Sequence, residues 1–218
     1  MKNLYVFDFH GVLEKGNEKA VTIVSNLALK QKGYEFQIAH EEIIKRYGYK
    51  WHDIFLETVP GLSSKEAYSL YEECLKIDQL YPSIIYDNME QNDNAKYVIE
   101  KIITNNDDMI LISNTSPNSL KMFIKAAELS DYFNDSNSFA VHQHKEGAML
   151  TKEKVLKEYL NGKEYGKIII IGDSPGDIEL KKVSPGNSIA FLYTHPGLNY
   201  RECEADYRIR DLAEIFLK

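Results

Sequence analysis

Three short, uninterrupted apolar runs, each ending in a polar cluster, constrain this chain more than any other feature. They are Leu4-Tyr5-Val6-Phe7, Met109-Ile110-Leu111-Ile112 and Ile168-Ile169-Ile170-Ile171. None alternates with polar residues, so each reads as a strand buried on both faces, as in a parallel sheet. The residues that follow are Asp8, Ser113-Asn114 and Gly172-Asp173. Parallel strands would bring these clusters to one sheet edge, where open α/β sheets bind ligands.

Helical patterns separate the runs. Ala20, Val21, Val24, Leu27 and Ala28 form an apolar stripe over residues 20–29. Ser63-x-x-Glu66 reads as a capping box opening a helix to about Ile77. Ser116-Pro117 pairs a cap residue with a first-turn proline, and a helix should follow to about Leu129. Residues 152–160 read as helical, and Phe139-Ala140-Val141 and Ile189-Ala190-Phe191-Leu192 as further strands. The tail from Ala205 to Lys218 reads as a short strand and a final helix. About a hundred residues separate the first two core strands, where one βα unit needs roughly thirty. The excess, residues 14–86, reads as wholly helical and holds the only tryptophan, Trp51. The expectation is an α/β fold: a parallel sheet flanked by helices, from residues 1–13 and 87–218, with an inserted all-helical cap at 14–86.

The 218 residues, 44% of them hydrophobic, suffice to bury a core. A net charge of −7 with no evident basic face disfavours a nucleic-acid partner. It leaves small phosphate esters open, because a bound metal can supply local positive charge. Cys74 and Cys203 have neither disulfide-framework nor zinc-site spacing and read as reduced thiols. No apolar run approaches the ~18 residues of a membrane span. Asp8 and His10 interrupt the N-terminal apolar stretch too early for a signal peptide. A cytoplasmic setting without membrane attachment is the expectation.

Asp8 and Asp173 each follow a strand, and Asp177 lies four residues beyond Asp173. Carboxylates gathered at one edge repel unless a cation is shared between them. Oxygen ligands suit Mg²⁺, and a carboxylate can attack phosphorus to form an aspartyl-phosphate. Each piece alone has a plainer reading. Ser174-Pro175-Gly176-Asp177 makes a good helix start, Ser113-Asn114 an ordinary turn, and Asp8 a strand terminator. Their convergence on one edge carries the functional reading.

With these motifs in view, the chain resembles the haloacid dehalogenase-like superfamily of phosphatases. Asp8-Phe9-His10-Gly11-Val12 matches that family's Asp-x-Asp-Gly-Thr/Val motif except at the second Asp. Leu111-Ile112-Ser113-Asn114 matches its strand ending in Ser or Thr, and Gly172 to Asp177 matches its Gly-Asp-x-x-x-Asp motif in full. The tail from Ala205 to Leu212 also resembles the family's ending. The resemblance implies a Rossmann-like sheet and Asp8 as nucleophile. It implies Mg²⁺ held by Asp8, the main-chain carbonyl of His10 and Asp173, with Asp177 supporting the metal. It implies Ser113 on the phosphoryl oxygens, with Asn114 lining the site. The family's phosphate-binding lysine has three candidates here: Lys152, which has the better spacing, then Lys145 and Lys154.

His10 is the departure, because the family's second Asp normally protonates the leaving group and then activates water. Histidine can do both near neutral pH. Three readings follow: a working replacement, a slow or inactive relative that still binds phosphate or metal, and a different reaction such as 2-haloacid dehalogenation. The intact Asp173 and Asp177 argue against the last, since dehalogenases of the superfamily need no metal. Among the other histidines, His142 and His144 would share one side of a strand without a third metal ligand. His195 would border the site from a loop, and His40 and His52 fall in the cap. The expected activity is Mg²⁺-dependent hydrolysis of a small phosphomonoester through an aspartyl-phosphate.

Overall fold

The computed structural model describes residues 1–142, 149–199 and 201–217. The chain runs β1 (Leu4–Phe7), β2 (Glu14–Lys15), α1 (Asn17–Gln31), α2 (His40–Lys45), α3 (Trp51–Thr58), α4 (Ser64–Leu80) and α5 (Ser83–Asn88). It continues through β3 (Glu90–Gln91), α6 (Ala95–Thr104), β4 (Asp108–Ser113), α7 (Pro117–Ala126), β5 (Ser138–Ala140), α8 (Lys152–Leu160), β6 (Ile168–Gly172) and α9 (Pro175–Ile178). A 3₁₀ segment at Glu179–Val183, β7 (Ser188–Tyr193), β8 (Tyr207–Ile209) and a 3₁₀ helix at Leu212–Phe216 complete it.

Six strands form one sheet in the order β5-β4-β1-β6-β7-β8, with every pair parallel. The uninterrupted apolar runs follow from burial on both faces. Tyr5, Phe7, Leu111, Ile169 and Ile171 pack into one layer with α6, α7 and the last 3₁₀ helix. Leu4, Val6, Ile110, Ile112, Ile168 and Ile170 pack into the other with α8 and α9. Strand side chains alternate between faces, so a strand with a layer on each side needs apolar residues throughout. Each such side chain stabilises the fold by roughly 1.5–3 kcal/mol. The chain is thus a Rossmann-like α/β protein.

Helices α1 to α5 bury a third cluster that includes Val24, Leu29, Phe55, Leu70 and Ile77. Residues 14 and 15 are not helical, contrary to the expectation of a wholly helical insert. They form β2, which pairs antiparallel with β3, Glu14 opposite Gln91 and Lys15 opposite Glu90. The expected Ser63–Glu66 capping box is present and opens α4. Helix α7 ends earlier than its apolar pattern suggests. Glu128 turns left-handed at φ 56°, and Leu129 and Glu128 donate back to the Ile124 and Lys125 carbonyls, closing the helix as a Schellman motif. The final helix is 3₁₀, opened by a capping box of Asp211 and Glu214.

Candidate active site

The sheet edge gathers the expected residues because three parallel strands end together. Phe7 aligns with Leu111 of β4 and Ile171 of β6, so Asp8, Ser113 and Asp173 emerge side by side. The Asp8 amide donates to the Ile171 carbonyl at 2.9 Å. Asp8, Asp173 and Asp177 each offer a carboxylate oxygen within 4.8 Å of the others.

Two glycines make this approach possible. A Cβ on Gly172 would lie 2.0 Å from the Asp177 Cβ. Gly11 has φ +72°, and a Cβ there would lie 2.5 Å from Asp173 Oδ2. Gly172 excludes a larger side chain for reasons of space, and the left-handed backbone at Gly11 strains any residue but glycine.

Lys152 opens α8 and is buried. Its Nζ donates at 2.7 Å to Asp8 Oδ1 and at 2.7 Å to Asp177 Oδ1. The other Asp177 oxygen accepts from the Ser174 amide at 3.1 Å and the Ser174 hydroxyl at 2.5 Å. Asp177 is therefore occupied on both oxygens. Lys154 points elsewhere, its Nζ donating to the Met149 carbonyl at 2.7 Å. Lys145 and His144 lie outside the described residues.

Burial first, then the Asp177 charge, pushes the Asp8 carboxyl above its usual range, and Lys152 opposes the shift. Burial, then Asp8 and Asp177, pushes the Asp173 carboxyl up strongly. Burial works against the Lys152 charge, but Asp177 and Asp8 outweigh it and raise its pKa. Three carboxylates against one ammonium leave two negative charges in excess. That excess and the all-oxygen donor set fit a hard dication such as Mg²⁺.

A cavity opens from this edge toward the helices. Asp8, His10, Ser113, Asn114 and Asp173 all line it. Ser113 is buried and its Oγ accepts from the Thr115 amide at 3.4 Å. Asn114 Oδ1 is buried with no hydrogen-bond partner. Across the cavity lie Trp51 and Ile54 of α3 and Tyr71, Leu75 and Asp78 of α4. Residues 71, 75 and 78 share one helical face. Both Asp78 oxygens are buried without a partner, and burial pushes this carboxyl up to about 7.

Around His10 lie residues that the sequence reading did not single out. Its Nδ1 is 3.1 Å from Glu14 Oε1 and 3.2 Å from Asn17 Nδ2. The ring meets Phe123 edge-on at 4.8 Å. Glu14 is fully buried and also accepts from the Gly11 amide at 3.0 Å, the Asn17 amide at 3.3 Å and the Tyr47 hydroxyl at 3.0 Å. Burial, then the Glu14 charge, raises the Tyr47 phenol well above its usual value, so it remains a donor. The four-residue step from His10 to Glu14 was the one sequence signal for this group.

Among the described residues, no histidine besides His10 lines the cavity. His142 is not on a strand: it follows β5 at φ 48°, and its Nε2 is 3.0 Å from the Tyr71 hydroxyl. His195 follows β7 but does not line the cavity among its described residues. His40 meets the Thr22 hydroxyl at 2.9 Å, and His52 stacks on Tyr68 at 4.2 Å. Cys74 and Cys203 are both free thiols. No described helix is long and apolar enough to cross a membrane.

Comparison with solved structures places the fold. An 18%-identical protein from Clostridium difficile, assigned provisionally as a phosphatase, aligns with a TM-score of 0.76 over 99% of this chain and 97% of its own. A protein from Haemophilus somnus, assigned by prediction as a phosphoglycolate phosphatase, is 17% identical and aligns with a TM-score of 0.73 over 99% and 97%. A haloacid dehalogenase family hydrolase from Deinococcus radiodurans, solved with bound phosphate and sodium, is 12% identical and aligns with a TM-score of 0.67 over 98% and 92%. No curated protein matches the chain in sequence. At the level of family, the haloacid dehalogenase-like hydrolase model matches residues 5–185. That match covers most of the chain, including Asp8, Ser113, Lys152, Asp173 and Asp177 and the strands β2 to β6, so the protein belongs to the haloacid dehalogenase-like hydrolase family.

Proposed function

We propose that the chain hydrolyses a small phosphomonoester, with Asp8 as nucleophile and Mg²⁺ as cofactor. The observation that carries this reading is the buried Lys152 bridging Asp8 and Asp177 beside Asp173. It holds one carboxylate in a fixed pose at a concave, charged sheet edge. The relatives assigned as phosphatases, and the one solved with phosphate, add support.

In this reading an Asp8 oxygen attacks phosphorus while the ester P–O bond to the leaving group breaks. His10 gives its Nε2 proton to the departing oxygen. It then takes a proton from the water that attacks the aspartyl-phosphate, releasing orthophosphate and restoring Asp8. Ser113, Asn114 and Lys152 bind the phosphoryl oxygens. Asp8, Asp173 and the His10 main-chain carbonyl would hold Mg²⁺, with Asp177 supporting the site through Lys152 and Ser174. When bound, the metal supplies positive charge against the phosphoryl oxygens. The helical segment 14–86 acts as a cap that excludes water and selects the leaving group.

The test is hydrolysis of an aryl phosphate by purified protein, with and without Mg²⁺, beside Asp8→Asn. Metal-dependent turnover that Asp8→Asn abolishes supports the reading. If a broad phosphomonoester panel gives no turnover while Mg²⁺ still binds, the chain is a phosphate- or metal-binding relative rather than a phosphatase.

A further inference from the structure

Glu14 lies outside the carboxylate cluster, yet it is fully buried and gathers four polar neighbours. Three of these are donors by their chemistry: the Gly11 amide, the Asn17 amide and the Tyr47 hydroxyl. The fourth is His10 Nδ1, whose role depends on where the ring proton sits. A carboxylate oxygen 3.1 Å from an unprotonated ring nitrogen would face lone pair to lone pair. A proton on Nδ1 turns the same contact into a hydrogen bond. Asn17 Nδ2, at 3.2 Å, offers the rival arrangement, in which Nδ1 accepts. The two cannot both hold, and the closer, negatively charged partner favours the proton on Nδ1. In the neutral ring that tautomer leaves the Nε2 lone pair open, and Nε2 has no hydrogen-bond partner among the described residues.

Tyr47 reaches this group from a different part of the chain. It lies between α2 and α3, while Glu14 begins the β2 strand that leads into the helices. Its hydroxyl donates to the same Oε1 that faces His10, and it accepts from Asn17 Nδ2 at 3.1 Å. That second bond uses one of the two Asn17 Nδ2 protons. Tyr47 also lines the cavity beside Asp8. The contact therefore ties Glu14 to the connection between α2 and α3.

We infer that Glu14 is a positioning residue that holds His10 by its Nδ1 proton and leaves Nε2 for the reacting oxygen, and that Tyr47 supports this hold by donating to the same Glu14 oxygen. The catalytic half of the inference rests on His10 acting as the acid and base of the proposed hydrolysis. The tautomer half does not.

Two measurements test it. Isotope-labelled histidine NMR reads which ring nitrogen of neutral His10 carries the proton. Wild type should show Nδ1–H. Glu14→Met removes the acceptor and leaves Asn17 as the partner, so the proton should move to Nε2. Glu14→Gln keeps the shape if the Met variant fails to fold, and should raise the Nε2–H population. Tyr47→Phe should raise it by a smaller amount. Wild type showing Nε2–H, or no change in any variant, would overturn the inference.

The second measurement is a double-mutant cycle on aryl phosphate hydrolysis. Glu14→Gln should lower kcat roughly 10- to 100-fold, less than the 10²–10⁴ of a full general acid, with KM within about threefold. In a His10→Asn background the same change should lower kcat less than about twofold, because Glu14 acts through His10. Equal losses in both backgrounds would mark Glu14 as structural only and overturn its catalytic role. If His10→Asn alone leaves kcat intact, the acid–base reading fails, while the NMR result still decides whether Glu14 holds the ring.

Discussion

Lys152 donates to Asp8 across 2.7 Å, and both side chains are almost closed to solvent. The same ammonium reaches Asp177 at 2.7 Å, so one cation holds two carboxylates that would otherwise repel. Removing one partner of a buried ion pair leaves a charge unpaired, which costs roughly 3–5 kcal/mol. Lys152→Met should lower unfolding stability by about that amount and reduce kcat by at least about 100-fold. Denaturant unfolding and steady-state kinetics check both. Stability within about 1 kcal/mol of wild type would show that the bridge is not holding the site.

Gly172 and Gly186 make a controlled pair. A Cβ on Gly172 would lie 2.0 Å from the Asp177 Cβ, whereas one on Gly186 would meet nothing within 4 Å. Gly172→Ala must shift backbone or helix α9, at a cost of roughly 1–3 kcal/mol or more. Gly186→Ala should be neutral or stabilise by up to about 1 kcal/mol. Thermal unfolding of the two variants compares them. Equal effects would contradict the close approach that sets Asp177 beside Asp173.

The carboxylates of the fold were legible in the sequence because their strands are buried on both faces. Continuous apolar runs marked β1, β4 and β6, and the register of parallel strands then delivered Asp8, Ser113 and Asp173 to one edge. Helix starts at Ser63 and Ser116 were equally readable, since a cap acts within four residues. The surroundings of His10 were not. Tyr47 meets Glu14 from 33 positions away, through a turn with no periodic pattern. Glu14 itself sits in a two-residue strand within a stretch read as helical. Sequence also did not separate Lys152 from Lys154: both stand in the first turn of α8, and only Lys152 reaches the carboxylates.

Asp78 gives the protein a pH signature of its own. Burial raises its carboxyl to about 7, against an ordinary value near ~4 in the unfolded chain. Between those values the folded state binds the proton that the unfolded state has released, so this group makes stability fall as pH rises from about 4 to about 7, after which its effect is constant. Asp78→Asn removes the titration. The variant should gain about 2–4 kcal/mol relative to wild type on going from pH 4 to pH 8. Denaturant unfolding at both pH values reads the difference. A gap between variant and wild type that does not change with pH would contradict the assignment.

Magnesium should stabilise the protein more at high pH than at low. Burial and mutual repulsion raise the Asp8 and Asp173 carboxyls. Without metal, those sites hold protons in the folded state above the range where the unfolded chain has lost them. The metal-free fold therefore loses stability as pH rises through that window. A dication displaces the protons, so its binding strengthens over the same window. At a concentration one hundred times its Kd the gain is about 2.7 kcal/mol. Melting temperatures with Mg²⁺ and with chelator across the pH range test this, and a Mg²⁺ shift that is absent or flat with pH would contradict it.

The proposed hydrolysis passes the phosphoryl group through Asp8. Its most direct test is to quench the protein in acid during hydrolysis of an aryl phosphate and map the phosphoryl group by peptide mass. The phosphoryl group is expected on the peptide containing Asp8, dependent on Mg²⁺ and absent in Asp8→Asn. Turnover with the phosphoryl group on another residue, or with none trapped at Asp8 under conditions that preserve acyl phosphates, would contradict it.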